Sequence, residues 1–363
     1  MKSKFLAPIL ALLVVLAACA PTLQQAARPE AGFAGPRLED HAFVTFDGTR
    51  LGLTRWAPIS GEPWAVIVGV HGMNDYANAF HLAAPWWASR GVETIAYDQR
   101  GFGRSPGRGV WAPDALMIED LRTIVALARR RWPHALIAVA GESLGGAVAI
   151  EAFASPDPPA ADRLVLLAPA VWGWSTQPFT YKALLWLAAR LVPDKVLSPP
   201  DWLTSHIWAS DNTPELYAMG RDPLMIWGAR TDALYGLVST MQRAWSEVGA
   251  IRAPTLYLYG AHDEIIPQAP TLGAVRRLGD NARTAWYANG WHLLLRDRQA
   301  PAVWSDVLAF IADPKAPLPS GTPPIPAGPD TQSRLSQRAS PQPTAAQSSR
   351  PSAPFPGFAG TSP

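Results

Sequence analysis

Residues Leu136 to Ile150 read LIAVAGESLGGAVAI, and this stretch restricts the possible folds more than any other. The apolar run Leu136 to Ala140 has the length and composition of a strand covered on both faces. The small and apolar residues from Gly146 to Ile150 suit a helix packed closely behind it. Between them, Gly141-Glu142-Ser143-Leu144-Gly145 forms a sharp turn with Ser143 at its apex, and the flanking glycines remove side chains that would collide there. A serine on such a turn projects its hydroxyl above a sheet. Ser143 is therefore the candidate nucleophile.

The rest of the chain supplies that sheet. Ala42 to Phe46 and Leu51 to Trp56 flank the turn dipeptide Asp47-Gly48, which predicts an antiparallel hairpin. The apolar runs Ala65 to Val70, Val92 to Tyr97, Leu136 to Ala140, Leu164 to Ala168, Thr255 to Tyr259 and Thr284 to Tyr287 are short and largely non-alternating. Helical patterns lie between most of them, at Ala79 to Arg90, Asp114 to Arg131, Leu144 to Ala154, Gln268 to Leu278 and Ala300 to Ala312. This alternation predicts an α/β fold with a mostly parallel, doubly wound central sheet flanked by helices. The rhythm breaks from Val171 to about Asp232, where six of the 16 tryptophans fall. We read that segment, 171–232, as a helical cap inserted after the sixth strand. The folded domain is expected over 39–312, preceded by an aperiodic tether at 19–38. Residues 313–363 carry 13 prolines among Ser, Gln and Ala and read as a disordered tail.

The N-terminus has a different character. Lys2 and Lys4 precede an apolar run from Phe5 to Ala18, too short to span a bilayer comfortably and ordered like an export signal. It ends in Leu-Ala-Ala-Cys, so residues 1–18 resemble a bacterial lipoprotein signal peptide, which is cleaved before a lipid-modified cysteine. Cys19 is the only cysteine in the chain, which rules out an internal disulfide and makes Cys19 the candidate acylation point. Ala20 stands where an aspartate would mark inner-membrane retention, so the resemblance implies an envelope protein on the outer membrane. The net charge of +2 is spread along the chain apart from Arg129 to Arg131, and nothing in it points to nucleic acid.

A serine hydroxyl is a weak nucleophile near neutral pH and needs an imidazole to take its proton and a carboxylate to orient that imidazole. The sequence offers both at strand ends: Asp263 in YLYGAHDEIIP, Tyr257 to Pro267, and His292 in ANGWHLLL, Ala288 to Leu295. His262 and Glu264 adjoin Asp263 as alternatives of the same chemistry. Gly101 and Gly103 belong to no dinucleotide-binding fingerprint and read as turn formers, and His71-Gly72 reads as a loop-shaping pair. No His-Glu-x-x-His or clustered His and Cys set offers a metal site, and no cofactor is implied.

Taken together, HGMNDY at His71 to Tyr76, YDQRGFGRS at Tyr97 to Ser105, GESLGG, and the two loops above are similar to the monoacylglycerol lipase and lysophospholipase branch of the α/β-hydrolases, also called serine aminopeptidase S33-like. The resemblance covers about 40–312. It implies a catalytic triad of Ser143, Asp263 and His292, an oxyanion hole from the backbone amides of Met73 and Leu144, and hydrolysis of a small-molecule ester or lipid. Serine at 143 excludes the epoxide hydrolases and dehalogenases, which use Asp there, and the dienelactone hydrolases, which use Cys. Cleavage of amides by the same residues, or a lipid-anchored binding protein without turnover, are the competing readings. The cap is expected to set substrate choice, with Trp172, Trp174 and Trp186 lining an acyl pocket and Phe179 to Val192 forming a helix.

Overall fold

The computed structural model describes residues 21–198 and 207–327. Seven strands precede the cap: β1 (Arg37–Leu38), β2 (Ala42–Val44), β3 (Arg50–Trp56), β4 (Ala65–Val70), β5 (Val92–Tyr97), β6 (Leu136–Glu142) and β7 (Arg163–Leu167). Within the cap, β8 (Val196–Leu197) pairs with β9 (Ala229–Arg230), and beyond it come β10 (Thr255–Gly260) and β11 (Ala282–Tyr287). The main sheet runs in the order β1-β2-β3-β5-β4-β6-β7-β10-β11. Its first three strands join antiparallel, and every pairing from β5 to β11 is parallel. This is the expected mostly parallel sheet. The cap leaves it after β7, the sixth strand counted from the hairpin, because the two-residue β1 has no apolar run to announce it.

Strands β4, β5 and β10 are buried along their whole length, which is why their sequences read as continuous apolar runs. Successive residues serve opposite faces. Val66, Val68 and Val70 pack with Met117, Leu121 and Ile124 of helix α2 (Asp114–Arg131) and with Val148 of α3 (Leu144–Ala154). Ala65 and Ile67 join Trp87 of α1 (Ala83–Ala88) and Val307 and Phe310 of α8 (Ala300–Ala312) on the other side. The chain steps from β4 to β5 in one direction and returns to β6 on β4's other flank. In an open parallel sheet the crevice at such a reversal, beyond the C-terminal strand ends, is where ligands bind.

Cap helices α4 (Phe179–Leu191) and α5 (Thr213–Arg221) lead into α6 (Thr231–Glu247), and α7 (Gln268–Val275) separates β10 from β11. Helix α6 is amphipathic, with Ala233, Met241 and Ala244 recurring at helical spacing on its buried side, although the pattern of strands and helices read above does not name it. Gly236 is required by packing: a Cβ there would lie 2.4 Å from the Trp111 indole.

Beyond shifts of a few residues at element ends, these boundaries differ from expectation. Ala79 to Arg90 is not one helix but a 3-10 turn, Ala77–Phe80, followed by α1, because Pro85 has no N–H to continue a helix begun at 79. The tether, as far as it is described, lies on the domain: Thr22 N–H donates to Asp232, Leu23 bridges Trp111, Gln24 Nε2 donates to the Val110 carbonyl at 2.8 Å, and Ala27 N–H to Asp47 at 2.8 Å. Helix α6 starts at Thr231, inside the span assigned to the cap. The tail does not begin at 313, because residues 314–327 fold back over β11 and bury Leu318 and Ile325. Trp286 N–H donates to the Pro323 carbonyl and Ile325 N–H to Thr284 Oγ1. The signal segment 1–18, Cys19 and the tail from 328 onward lie outside the described residues.

Candidate active site

Ser143 sits between β6 and α3, at the helix N-cap, with φ 52° and ψ −114°, a left-sided backbone that a non-glycine residue holds at a cost of about 1–3 kcal/mol. Three backbone bonds hold it there: its N–H donates to Leu167 O at 3.0 Å, and its carbonyl accepts from Ala147 N and Ala170 N. The turn closes only because its glycines carry no side chains. A Cβ on Gly145 would stand 2.1 Å from the Val70 carbonyl oxygen, and one on Gly141 2.5 Å from the Gly145 oxygen.

The acid and base arrive from neighbouring strands. After β10, Asp263 Oδ1 accepts the amides of Ile265 and Ile266 at 2.9 and 2.8 Å, which aims Oδ2 at His292 Nδ1, 2.9 Å away. His262 stacks on Trp291 instead, and Glu264 accepts the Trp208 amide of the cap, so neither alternative acid or base joins the pair. Burial of His292 disfavours its charged form, but the Asp263 carboxylate, with Glu142 adding to it, outweighs this and holds its pKa above the ordinary 6.5. With Nδ1 committed to Asp263, Nε2 has no protein partner among the described residues. Ser143 Oγ makes no hydrogen bond to it in this structure. The Asp263–His292 pair is closed, and a hydrogen bond from a serine to such a histidine commonly tightens only when substrate is present.

The loop after β4 completes the crevice. Buried His71 accepts the Gln99 amide at Nε2 (2.8 Å), so its Nδ1 carries the proton and donates to the Gly72 carbonyl at 2.7 Å. Burial holds the His71 pKa down and the ring neutral, which is the form this pattern needs. The pair therefore shapes the loop. A Cβ on Gly72 would come within 3.2 Å of Ser143 Cβ, so the loop that carries Met73 passes directly beside the Ser143 turn. Leu144, first in α3, presents the other candidate amide at a helix N-terminus. Neither amide has a protein acceptor among the described residues.

Beneath these loops is a cluster with no motif in the sequence. Arg296, four residues after His292 and 1% exposed, places Nη2 at 2.7 Å from both Asp75 of the β4 loop and Glu142 beside Ser143, while Nη1 meets Met219 Sδ of α5. One guanidinium thus ties together the loop after β4, the Ser143 turn, the His292 loop and the cap. Burial raises the Glu142 pKa against the opposing pull of Arg296, and its second oxygen has no protein partner among the described residues. A regular spacing could not have exposed this cluster, because its members lie 67 and 154 positions apart in pairs (142 − 75 = 67, 296 − 142 = 154).

Residues 61–299 match the serine aminopeptidase S33 family. The chain belongs to that family. Among curated relatives of this S33 protein, the monoacylglycerol lipase of Mycolicibacterium smegmatis is 29% identical over 280 residues, covering 75% of this chain and 96% of that one. The monoglyceride lipase of Rattus norvegicus is 26% identical over 273 residues, covering 73% and 86%. The crystal structure of Paleococcus ferrophilus monoacylglycerol lipase superposes with a TM-score of 0.58 at 21% identity, covering 72% of this chain and 98% of that chain. The fold is that of the α/β-hydrolases.

In this S33 protein the cap grips the site from two sides. Ile226 N–H donates to the Asn74 carbonyl and Tyr76 Oη to Asp222, which holds the cap to the loop after β4. On the other side Leu293 N–H donates to Ala209 O and Ser210 Oγ to Asp297 at 2.6 Å, which holds it to the histidine loop. Burial lifts the Asp297 pKa to about 7, although the Ser210 hydroxyl and Trp291 amide favour its charged form. Of the three tryptophans expected at an acyl pocket, Trp172 packs against the core below the cap. Trp174 turns to α6, its ring 5.1 Å from Tyr235 and its Nε1 donating to Ser239. Trp186 faces outward under Arg190, 48% exposed, because the inward face of α4 is made by Leu185 and Ala189.

Proposed function

We propose that this protein hydrolyses carboxylic esters through an acyl-enzyme on Ser143, with monoacylglycerols or lysophospholipids as the substrate class. The observation that carries this reading is a strained serine at the sheet's reversal point beside an Asp263–His292 pair joined at 2.9 Å. Ser143 Oγ attacks the ester carbonyl carbon as His292 Nε2 takes the hydroxyl proton. The carbonyl oxygen becomes an oxyanion held by the Met73 and Leu144 amides, and losing one such donor typically costs about 10²–10³ in turnover. Collapse expels the alcohol, which leaves with the proton from Nε2. Water then attacks the acyl-enzyme, gives its proton to Nε2, and the fatty acid departs as Ser143 regains it. Asp263 stabilises the imidazolium throughout without taking the proton. Monoacylglycerols are taken from the mycobacterial and rat relatives named above, and lysophospholipids from the likeness of the sequence motifs to the lysophospholipase branch.

Ester and amide cleavage separate in one experiment. Purified wild type and Ser143→Ala are compared on monoacylglycerols, p-nitrophenyl esters and aminoacyl anilides, with fluorophosphonate labelling alongside. Monoacylglycerol turnover and labelling are expected in wild type and absent from the variant. Turnover of anilides alone would establish an amidase, and a folded wild type that resists the probe would establish a binding protein.

We also propose that the protein is held at the bacterial envelope, on the outer membrane, by lipid on Cys19. The signal-like order of residues 1–18 supports this. Mass analysis of the N-terminal peptide and membrane fractionation of Cys19→Ser against wild type test it.

A further inference from the structure

The outer surface of the cap is unusually apolar for a face turned to solvent. Along α4, Phe179, Leu184, Trp186, Leu187 and Leu191 are 81, 68, 48, 45 and 61% exposed, and Val196 on β8 is 57% exposed. Leu184, Leu187 and Leu191 recur at helical spacing on the side away from Leu185 and Ala189, the pair that packs inward. Contiguous apolar surface of this kind marks a docking face. Arg190 flanks it on α4 and Lys195 follows in the turn to β8, with Asp194 as the nearby carboxylate, a balance that suits anionic headgroups. With 13 residues, α4 is about 20 Å long at 1.5 Å per residue. That is short of the roughly 30 Å hydrocarbon core, so it would lie on a bilayer and not cross it.

The N-terminal arm gives this face its occupant. Thr22 N–H donates to Asp232 Oδ2, and the Asp232 amide in turn donates to the Pro193 carbonyl, in the turn between α4 and β8. Arg230 grips the same carboxylate at 2.7 Å. The chain therefore enters the described residues at the edge of the exposed apolar face. Cys19 stands three residues before Thr22 and can lie no more than about 11 Å from it. Gln24, Leu23 and Ala27 pin the following residues to Val110, Trp111 and Asp47.

We infer that the arm 21–27 is an orienting strut: seated beside the cap, it holds the apolar face of α4 and β8 against the same bilayer that carries the Cys19 anchor. This rests on the lipid attachment proposed above. A free tether would let the domain tumble, whereas a seated one leaves only the short link to Cys19 to swing. The cap is thereby presented to the surface in which lipid esters reside.

The test uses the full acylated chain in phosphatidylethanolamine–phosphatidylglycerol vesicles containing a doxyl-labelled lipid. With Cys19 acylated, Leu187→Cys supplies the sole thiol for a fluorophore, and Glu62→Cys, beyond the opposite end of β4, supplies the control. Strong quenching at 187 and none at 62 is expected. Inserting a flexible stretch of about ten Gly and Ser residues between Ala20 and Pro21 should lower the quenching at 187 while membrane attachment and fluorophosphonate labelling persist. Equal quenching at the two sites overturns the orientation, and quenching at 187 that the insertion leaves untouched overturns the strut. A 187 label unquenched by lipid, with the unlabelled 187 thiol forming 187–187 disulfides in a parallel sample, identifies a second copy as the occupant and overturns the proposal. An N-terminal peptide without added lipid mass overturns the attachment, and the orientation falls with it.

Discussion

His292 is set by carboxylates on two sides, Asp263 at Nδ1 and Glu142 farther off, and only its neutral form can accept the serine proton. Because its pKa is raised, the acid limb of a kcat/KM profile should lie above 6.5, with activity falling as pH drops through it. Glu142→Gln removes one of the two negative charges and should move that limb to lower pH, a shift that a merely structural role for Glu142 would not produce. Arg296 offers a sharper case. Arg296→Met leaves Asp75 and Glu142 buried without their cation, and urea unfolding should show a loss of about 3–5 kcal/mol at neutral pH. The stranded carboxylates are easier to bury protonated, so the deficit should shrink as pH is lowered.

At the scale of single elements, the nucleophile turn depends on the absence of atoms. Gly145→Ala would drive a Cβ to 2.1 Å from backbone that cannot move aside, so thermal unfolding should show at least the roughly 1–3 kcal/mol of an overpacked core. Gly61→Ala, at φ 76° with nothing within 4 Å, should cost only the backbone preference of about 1–2 kcal/mol. The contrast explains what could be read from the chain. The turn, the parallel strands and helices Asp114–Arg131, Leu144–Ala154 and Ala300–Ala312 announce themselves through local patterns, because burial on both faces leaves continuous apolar runs and the turn demands its glycines. The order in which Ser143, Asp263 and His292 follow their strands is equally local. The Arg296 cluster and the outward turn of Trp186 arise from contacts between distant segments, which no window of sequence contains, whereas helix α6 was legible in the helical spacing of Ala233, Met241 and Ala244. The seated arm and the returning tail were hidden for a related reason: both are held largely through backbone groups, which every residue carries and no composition reveals.

For the whole molecule, the sheet's last strand is finished by residues usually dismissed as tail. Ending the chain after Ala312 removes Leu318, Ile325 and the bonds to Trp286 and Thr284, whereas ending it after Ala327 keeps them. Two buried aliphatic side chains are worth roughly 3 kcal/mol or more together. Calorimetry should therefore find the shorter chain melting about 6 °C or more below the longer one, with the longer one matching the full protein. At the β11 edge of the sheet the Trp286 N–H is already taken by the Pro323 carbonyl of the returning segment, so among the described residues that rung is closed to a neighbouring chain.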